Sequence, residues 1–573
     1  MAFKYLARLS RQHRTIYCYL ILSIWIFLLI AGIYKYIGTT LSIESYKNRR
    51  NFMYTSAQGR DEINDQGRRN IHECNNPDEI ALEMDGGSLE GWSLTGVLLI
   101  TRHGDRGPME HIRGIGTINC GYDNSLPLLH RYKTFITNST MNAYFGHSVW
   151  LKNGPFHGFP LLPPLERFCL LGQLTYRGLA QHLKIGEILR QAYAAPLGLL
   201  HRQQTVPNTR VLANISLDSK NIANGNLSPE SNIIVYSTRY RRTFQSAMAL
   251  LYAFLPIDQW MGITVRESHS LSFCFKDCAC QQAERIRKEV AKEDMATLHQ
   301  HPAIAAVVHW IGMSLMQNPI VQINPMEVRD ALLALLCHDT PLPCRKAKDR
   351  STKNNPDIVT TPDNRDVINI DQEEGQTSPK DNLIDVEDIE TNIEPEGCVE
   401  QSHVDALMSF TNWQGAKKVR SPNNRRLGIL RAYGLIRNIV GNMLKMISGE
   451  NIKFVLYSGH DRTLQYLLSA LGLQSQQFFI PYAAKMSFEV YKSNYDAQFY
   501  FRVVYNGRDV TNKIVFCEGG RSLRVSRGNR GEKADLCPIE NIIRFIHDDY
   551  FVPLNATNYK DACTINQQNE DFR

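Results

Sequence analysis

Within five consecutive positions the chain sets Arg102, His103, Gly104, Asp105 and Arg106, with Gly107 and Pro108 directly after. Two guanidinium forks and an imidazole in so short a span suit a phosphate. The forks bind oxygens in pairs, and the imidazole can act as a nucleophile toward phosphorus. Gly104 and Gly107 permit a tight backbone path close to a ligand, and Pro108 stiffens the exit. Taken alone, Arg-His-Gly fits a basic surface turn about as well, because short motifs recur by chance. Its position argues for more. The segment Gly96-Val97-Leu98-Leu99-Ile100-Thr101 runs straight into the cluster. Four successive apolar residues, two of them β-branched, read as a strand buried on both faces of a parallel sheet. In open α/β sheets, ligands bind outside the carboxyl ends of such strands.

Two later segments repeat the arrangement. Asn232 to Tyr236 is strand-like and leads into Ser237-Thr238-Arg239-Tyr240-Arg241-Arg242-Thr243, then a helical pattern from Phe244 to Leu255 that Pro256 stops. Phe454 to Tyr457 is strand-like and leads into Ser458-Gly459-His460-Asp461, then a helical stretch to Leu471 with Gly472 as its C-cap. Each unit puts Arg, His or Asp at the end of a strand. Parallel strands align those ends on one edge, so residues far apart in sequence can meet there. The expected class is α/β.

The three signatures, RHGxRxP, STxxxRT and a late HD, resemble the histidine acid phosphatase family. The likeness runs from about Leu94 to the C-terminus and takes in Leu174 to His182. It implies the histidine-phosphatase fold: a mostly parallel central sheet flanked by helices, with a helical cap from about 120–230 and 275–425. It also implies roles. His103 is the nucleophile and forms a phosphohistidine that water hydrolyses. Arg102, Arg106 and Arg242 hold the equatorial oxygens and favour the neutral imidazole, and His460 donates to the phosphate. Asp461 is the proton donor to the leaving oxygen and then the base for water, which requires it to be protonated, as a mildly acidic lumen allows. Arg239 and Arg241 adjoin Arg242, and the family spacing, with Arg directly before Thr, selects Arg242. Asp461 is also a good helix cap, a role that does not exclude catalysis. This chemistry calls for no metal or cofactor.

Further segments, Leu251 to Pro256, Leu336-Cys337-His338, Tyr505 to Thr511, Cys537 to Asn541 and Asn558 to Cys563, are similar to a membrane-anchored Golgi branch of the family. That likeness implies removal of the 2-O-phosphate from xylose in the glycosaminoglycan–protein linkage region of proteoglycans. Glycosyltransferases of the same pathway would be further partners, and nucleic acid would not. A broad acid phosphatase or phytase-like enzyme is the alternative. So is an inactive glycan-binding ectodomain, against which the intact set of six site residues argues.

The rest of the 573 residues supplies the setting. Residues 1–15 form a basic tail with Lys4, Arg8, Arg11 and Arg14. Ile16 to Tyr34 carries no charge over 19 residues, close to the ~20 that cross a bilayer as a helix. The run exceeds a usual signal-peptide core. Charge asymmetry does not orient it, since Lys35, Lys47, Arg49 and Arg50 follow. Glycosylation sequons at Asn138, Asn214, Asn226 and Asn555 act only in a secretory lumen, and twelve of the thirteen cysteines follow the apolar run, an even number suited to disulfides. A type II membrane protein is therefore expected, with a transmembrane helix at 16–34, a polar lumenal stem at 35–93 and a catalytic region at 94–573, and the family likeness implies that it resides in the Golgi.

Cys274, Cys278 and Cys280 lack the histidine spacing of a zinc site, and disulfides are favoured there. Between Gln281 and Cys344, Ile304, Val307, Val308, Ile311 and Leu315 line one helical face. Residues 345–397 differ in kind. They hold no aromatic residue, one Leu, 7 Lys and Arg and 14 Asp and Glu, so 7 − 14 = −7, and the remainder of a +7 chain carries +14. Such a segment cannot bury enough apolar surface to order itself. It departs from the family, where this connection is shorter, and a Cys344–Cys398 bridge would close it off. The basic remainder suits an anionic partner. Toward the C-terminus, Phe488 to Tyr491 and Phe499 to Tyr505 read as strands, and Asn506-Gly507 as a tight turn. No repeat, coiled coil, P-loop or zinc signature is present.

Overall fold

The computed structural model describes residues 71–564, apart from 123–125, 139–153, 165–166, 201–231, 262, 277, 318–322, 346–396, 474–477 and 529–531. The expected tail, the membrane helix at 16–34, the stem up to residue 70, Asn214, Asn226 and nearly all of the acidic insert lie outside the described residues. Among the described residues no helix is long and apolar enough to cross a membrane.

The strands are β1 (Trp92–Arg102), β2 (Ile233–Thr238), β3 (Val265–Ser268), β4 (Cys344–Arg345), β5 (Gly397–Cys398), β6 (Phe454–Gly459), β7 (Lys485–Ser493), β8 (Phe499–Tyr505), β9 (Arg508–Asp509), β10 (Leu523–Arg527) and β11 (Glu532–Pro538). Nine of them form one sheet in the order β10-β11-β8-β7-β1-β6-β2-β3, with β9 paired to β8. The three signature strands are adjacent and parallel: β1 pairs with β6 and β6 with β2. The expectation of a mostly parallel sheet is corrected, because the sheet is mixed. From β7 onward the strands run antiparallel. Short connections account for the β7–β8, β8–β9 and β10–β11 pairs, since a hairpin joins antiparallel neighbours, whereas β1–β7 and β8–β11 pair across long stretches of chain. Asn506 and Gly507 link β8 to β9 with φ of 44° and 78°, both positive as a type I′ turn requires.

The main helices are α1 (Pro127–Thr137), α2 (Tyr176–Leu189), α3 (Arg241–Phe254), α4 (Gln281–His299), α5 (Pro302–Leu315), α6 (Pro325–Cys337), α7 (Gln401–Arg420), α8 (Pro422–Ile447) and α9 (Asp461–Ala470). Alternation along β1 sets the layers. Val97 and Leu99 pack with α1, α2 and α3, whereas Leu98 and Ile100 pack with α8 and α9. All four are fully buried, and each contributes about 1.5–3 kcal/mol on burial. Leu99→Ala would therefore lose about 2–5 kcal/mol. α1 and α2, inside the first interval expected for the cap, cover the sheet because their apolar stripes match that face. In contrast, α5, α6 and α7 build a separate cluster with Ile112 and Ile118.

All twelve cysteines beyond the apolar run are paired. Cys74–Cys337 ties the first described segment to α6, and Cys344–Cys398 closes the ends of the acidic insert where β4 meets β5. The others are Cys120–Cys169, Cys274–Cys278, Cys280–Cys563 and Cys517–Cys537.

Candidate active site

β1, β2 and β6 end together, and their carboxyl ends bring the expected residues to one edge. Arg102 sits opposite Gly459 in the register, and the His103 amide donates to Gly459 O at 2.9 Å. The loop after β1 is held by backbone closeness. A Cβ on Gly104 would lie 2.3 Å from Gly178 O, and one on Gly107 would lie 2.0 Å from Leu170 O. Only glycine fits at either place. Thr175 caps α2 and donates to Asp105 Oδ2 at 2.5 Å, while His338 Nε2 lies 2.8 Å from the same oxygen. Asp105 is thus a buried anchor of the loop.

His103 is 3% exposed. Its Nδ1 is 2.7 Å from Gly104 O. A carbonyl only accepts, so Nδ1 carries the proton and Nε2 keeps a free lone pair. Burial, then the charges of Arg242, Arg102, His460 and Arg106, hold His103 well below its ordinary range. The ring is therefore neutral under mildly acidic conditions, as a nucleophile must be.

Arg102 donates from Nη1 to Ile480 O, lies 4.1 Å over the Tyr482 ring, and places Nη2 3.9 Å from Asp461 Oδ2. Arg106 is clamped by Asp330 through Nη1 at 3.1 Å and Nη2 at 2.7 Å. Arg242 comes from the first turn of α3, where it packs 4.5 Å over Tyr240 and donates to Gly172 O at 3.3 Å. Three guanidiniums from two strand ends thus surround one imidazole.

His460 caps α9. Its ring accepts the Thr463 amide hydrogen, and its Nε2 lies 2.9 Å from Thr238 Oγ1. With one ring nitrogen occupied as an acceptor, the proton of the neutral ring is on Nε2. The His103 and His460 rings meet edge to face, 5.4 Å between centroids. Burial and Arg242 press His460 well below its ordinary range, and Asp461 opposes them only in part. Asp461 opens α9, accepts the Arg462 amide at 2.7 Å and remains 42% exposed. Partial desolvation alone would raise its carboxyl, but Arg102, Arg462, Arg106 and His460 override this and hold it at about 2. In the unliganded site it is a carboxylate.

A family model described as histidine phosphatase superfamily (branch 2) matches residues 93–506, well over half of the chain. The chain belongs to the histidine phosphatase superfamily. Among relatives, the 2-phosphoxylose phosphatase 1 of Xenopus tropicalis is 26% identical over 523 residues, covering 90% of this chain and 86% of its own. The protein of that name from Homo sapiens is 26% identical over 498 residues, covering 86% and 85%. The multiple inositol polyphosphate phosphatase of Bifidobacterium longum, solved with phosphate, aligns at 11% identity and a TM-score of 0.41 over 82% of this chain and 97% of its own.

All six residues singled out in the sequence of this histidine phosphatase lie at one sheet edge. Three others were not. Asp330, on α6, is 224 positions from the arginine it clamps. Tyr482 is 3% exposed and faces Arg102. Thr238 holds the ring of His460. Two charged residues, Arg329 and Asp330, precede the apolar run Ala331 to Cys337 on a buried helix, and that interruption is the one local signal for Asp330. Nothing in the local sequence marks Tyr482. Cys120, Cys169 and His338 lie at metal-ligand spacing, but the two sulfurs are bonded to each other and offer no thiolate. The sequon residues Asn138 and Asn555 are both exposed.

Proposed function

We propose that this histidine phosphatase removes the 2-O-phosphate from xylose in the glycosaminoglycan–protein linkage region. The single observation that carries the chemistry is the His103 Nδ1 contact to Gly104 O, which leaves Nε2 as the nucleophile among Arg102, Arg106 and Arg242. Nε2 attacks phosphorus as the bond to the sugar oxygen breaks. Arg102, Arg106 and Arg242 take the equatorial oxygens, and His460 Nε2–H turns from Thr238 to donate to one of them. Asp461 gives its proton to the departing oxygen. Water then attacks the phosphohistidine, Asp461 takes the water's proton, and inorganic phosphate leaves.

Asp461 starts at about 2, so the substrate itself must prepare the acid. A phosphate dianion seated on Arg102 offsets the charge that depresses Asp461 and adds negative charge beside it, which raises the carboxyl. The relatives named for 2-phosphoxylose support the choice of substrate, and so does the +14 balance outside the insert. The same reading places the chain in the Golgi membrane through the 16–34 helix, with the catalytic region in the lumen. Purified lumenal region should turn over a xylose-2-phosphate linkage glycan with higher kcat/KM than inositol phosphates or p-nitrophenyl phosphate. The reverse order would overturn the substrate assignment.

A further inference from the structure

A second cavity, of about 350 Å³, opens at the same sheet edge, behind the segment that carries Tyr482. Its size falls within the range of small-molecule sites. Pro481 and Ala483 form part of its wall, while Tyr482 between them turns to the catalytic arginines. The Ala483 amide donates to His103 O at 3.0 Å, so one backbone wall serves both spaces.

The lining has three kinds of surface. Leu468, Leu473 and Val510 on one side and Ile80 and Ile185 on the other give aliphatic walls that meet at the sheet edge and serve as its floor. Arg508 and Lys513 are exposed at the rim, and their side chains have no ion pair or hydrogen bond among the described residues. Glu79 and Glu83 face the same space from the segment before β1, and Tyr505 adds a buried hydroxyl beside Asn506. Lys485 also lines the cavity, but Asp85 neutralises it. An inorganic anion would suit the two cations and be repelled by the two carboxylates. A sugar acid uses all of them. Its carboxylate meets Arg508 and Lys513, its hydroxyls donate to Glu79 and Glu83, and its C–H face lies on the aliphatic floor.

The geometry points to a saccharide subsite that takes a carboxylate-bearing sugar unit, separate from the phosphate pocket. This deepens the glycan reading above and rests on it for the ligand class. Binding and turnover are nevertheless measured apart, so either can fail alone.

Titrate the full chain calorimetrically with an unphosphorylated oligosaccharide containing a uronic acid, with and without saturating orthovanadate, and repeat with a neutral oligosaccharide of equal length. The wild type should bind the acidic sugar, and vanadate should change its Kd by less than about twofold. The neutral sugar should bind at least tenfold more weakly. The Arg508→Ala/Lys513→Ala double variant should lose tenfold or more in affinity, while its p-nitrophenyl phosphate hydrolysis stays at the wild-type rate. No binding by the wild type, equal binding by the double variant, equal binding of the neutral sugar, or displacement by vanadate would each overturn the inference. Absence of turnover on the phosphorylated glycan, with binding intact, would instead count against the proposed substrate.

Discussion

Filling the phosphate site should make Asp461 take up a proton. At about 2 in the free protein, its carboxyl is protonated in only about one molecule in a thousand at pH 5, by the tenfold-per-unit rule. The main depressing charge is Arg102, whose Nη2 lies 3.9 Å from Asp461 Oδ2. One unit of negative charge arriving at about 4 Å, at an effective dielectric of about 20, contributes about 4 kcal/mol. Asp461 is 42% exposed, so solvent screens part of this attraction. What remains raises the carboxyl toward the working pH and increases its protonated fraction at pH 5, and the second charge of a dianion raises it further. Sulfate is a suitable probe, because it mimics the phosphate dianion without titrating in this range. Calorimetry of sulfate binding at pH 5, in two buffers of different ionisation enthalpy, reads the protons exchanged. His103 and His460 also sit in the arginine field and can contribute, so the informative quantity is wild type minus Asp461→Asn. The expected difference is a net uptake of protons by the wild type. Equal uptake by the two proteins would refute the electrostatic account of how the acid is prepared.

The leaving group should separate the two halves of the mechanism. Asp461→Asn is expected to lose about 10²–10⁴-fold in kcat on a xylose phosphate, whose alkoxide needs protonation, and only a few-fold on p-nitrophenyl phosphate; equal losses on both would make Asp461 structural. Asp330→Ala strips Arg106 of its bidentate partner, and because Asp330 is 24% exposed the loss should fall below the 3–5 kcal/mol of a fully buried pair, at about 2–3 kcal/mol. Denaturant unfolding reads that loss, a several-fold weaker phosphate inhibition should accompany it, and unchanged values of both would show that the clamp is idle. Deleting 346–396 keeps the Cys344–Cys398 closure and should shift Tm by no more than about 2 °C, since each doubling of loop length costs about 0.6 kcal/mol; a large fall would mean that the insert packs on the body.

The parallel half of the fold was legible because each signature strand is short, apolar and followed at once by polar chemistry. Val97 to Ile100 alternates between two helical layers, and that double burial is what an unbroken apolar run encodes. The antiparallel half was less so. Phe499 to Tyr505 and Asn506-Gly507 announced a hairpin, but nothing local says that β7 pairs with β1 and fixes the sheet as mixed. The six site residues were legible because each lies within a few positions of a strand end. Asp330 and Tyr482 were not, since one reaches the site from a helix and the other from a loop, and long-range packing alone brings them there. Disulfide partners were hidden too, apart from Cys344 and Cys398, which flank the acidic insert: Cys74 and Cys337 are 263 residues apart.

The central claim is that His103 becomes phosphorylated. Mix the wild type with a ³²P-labelled sugar phosphate, quench within milliseconds in alkali, and map the labelled peptide. The account predicts base-stable, acid-labile label on the peptide containing His103. It also predicts more label in Asp461→Asn with an aryl phosphate, because hydrolysis of the intermediate is slowed, and none in His103→Ala. Label retained in His103→Ala, or located on another residue, would contradict it.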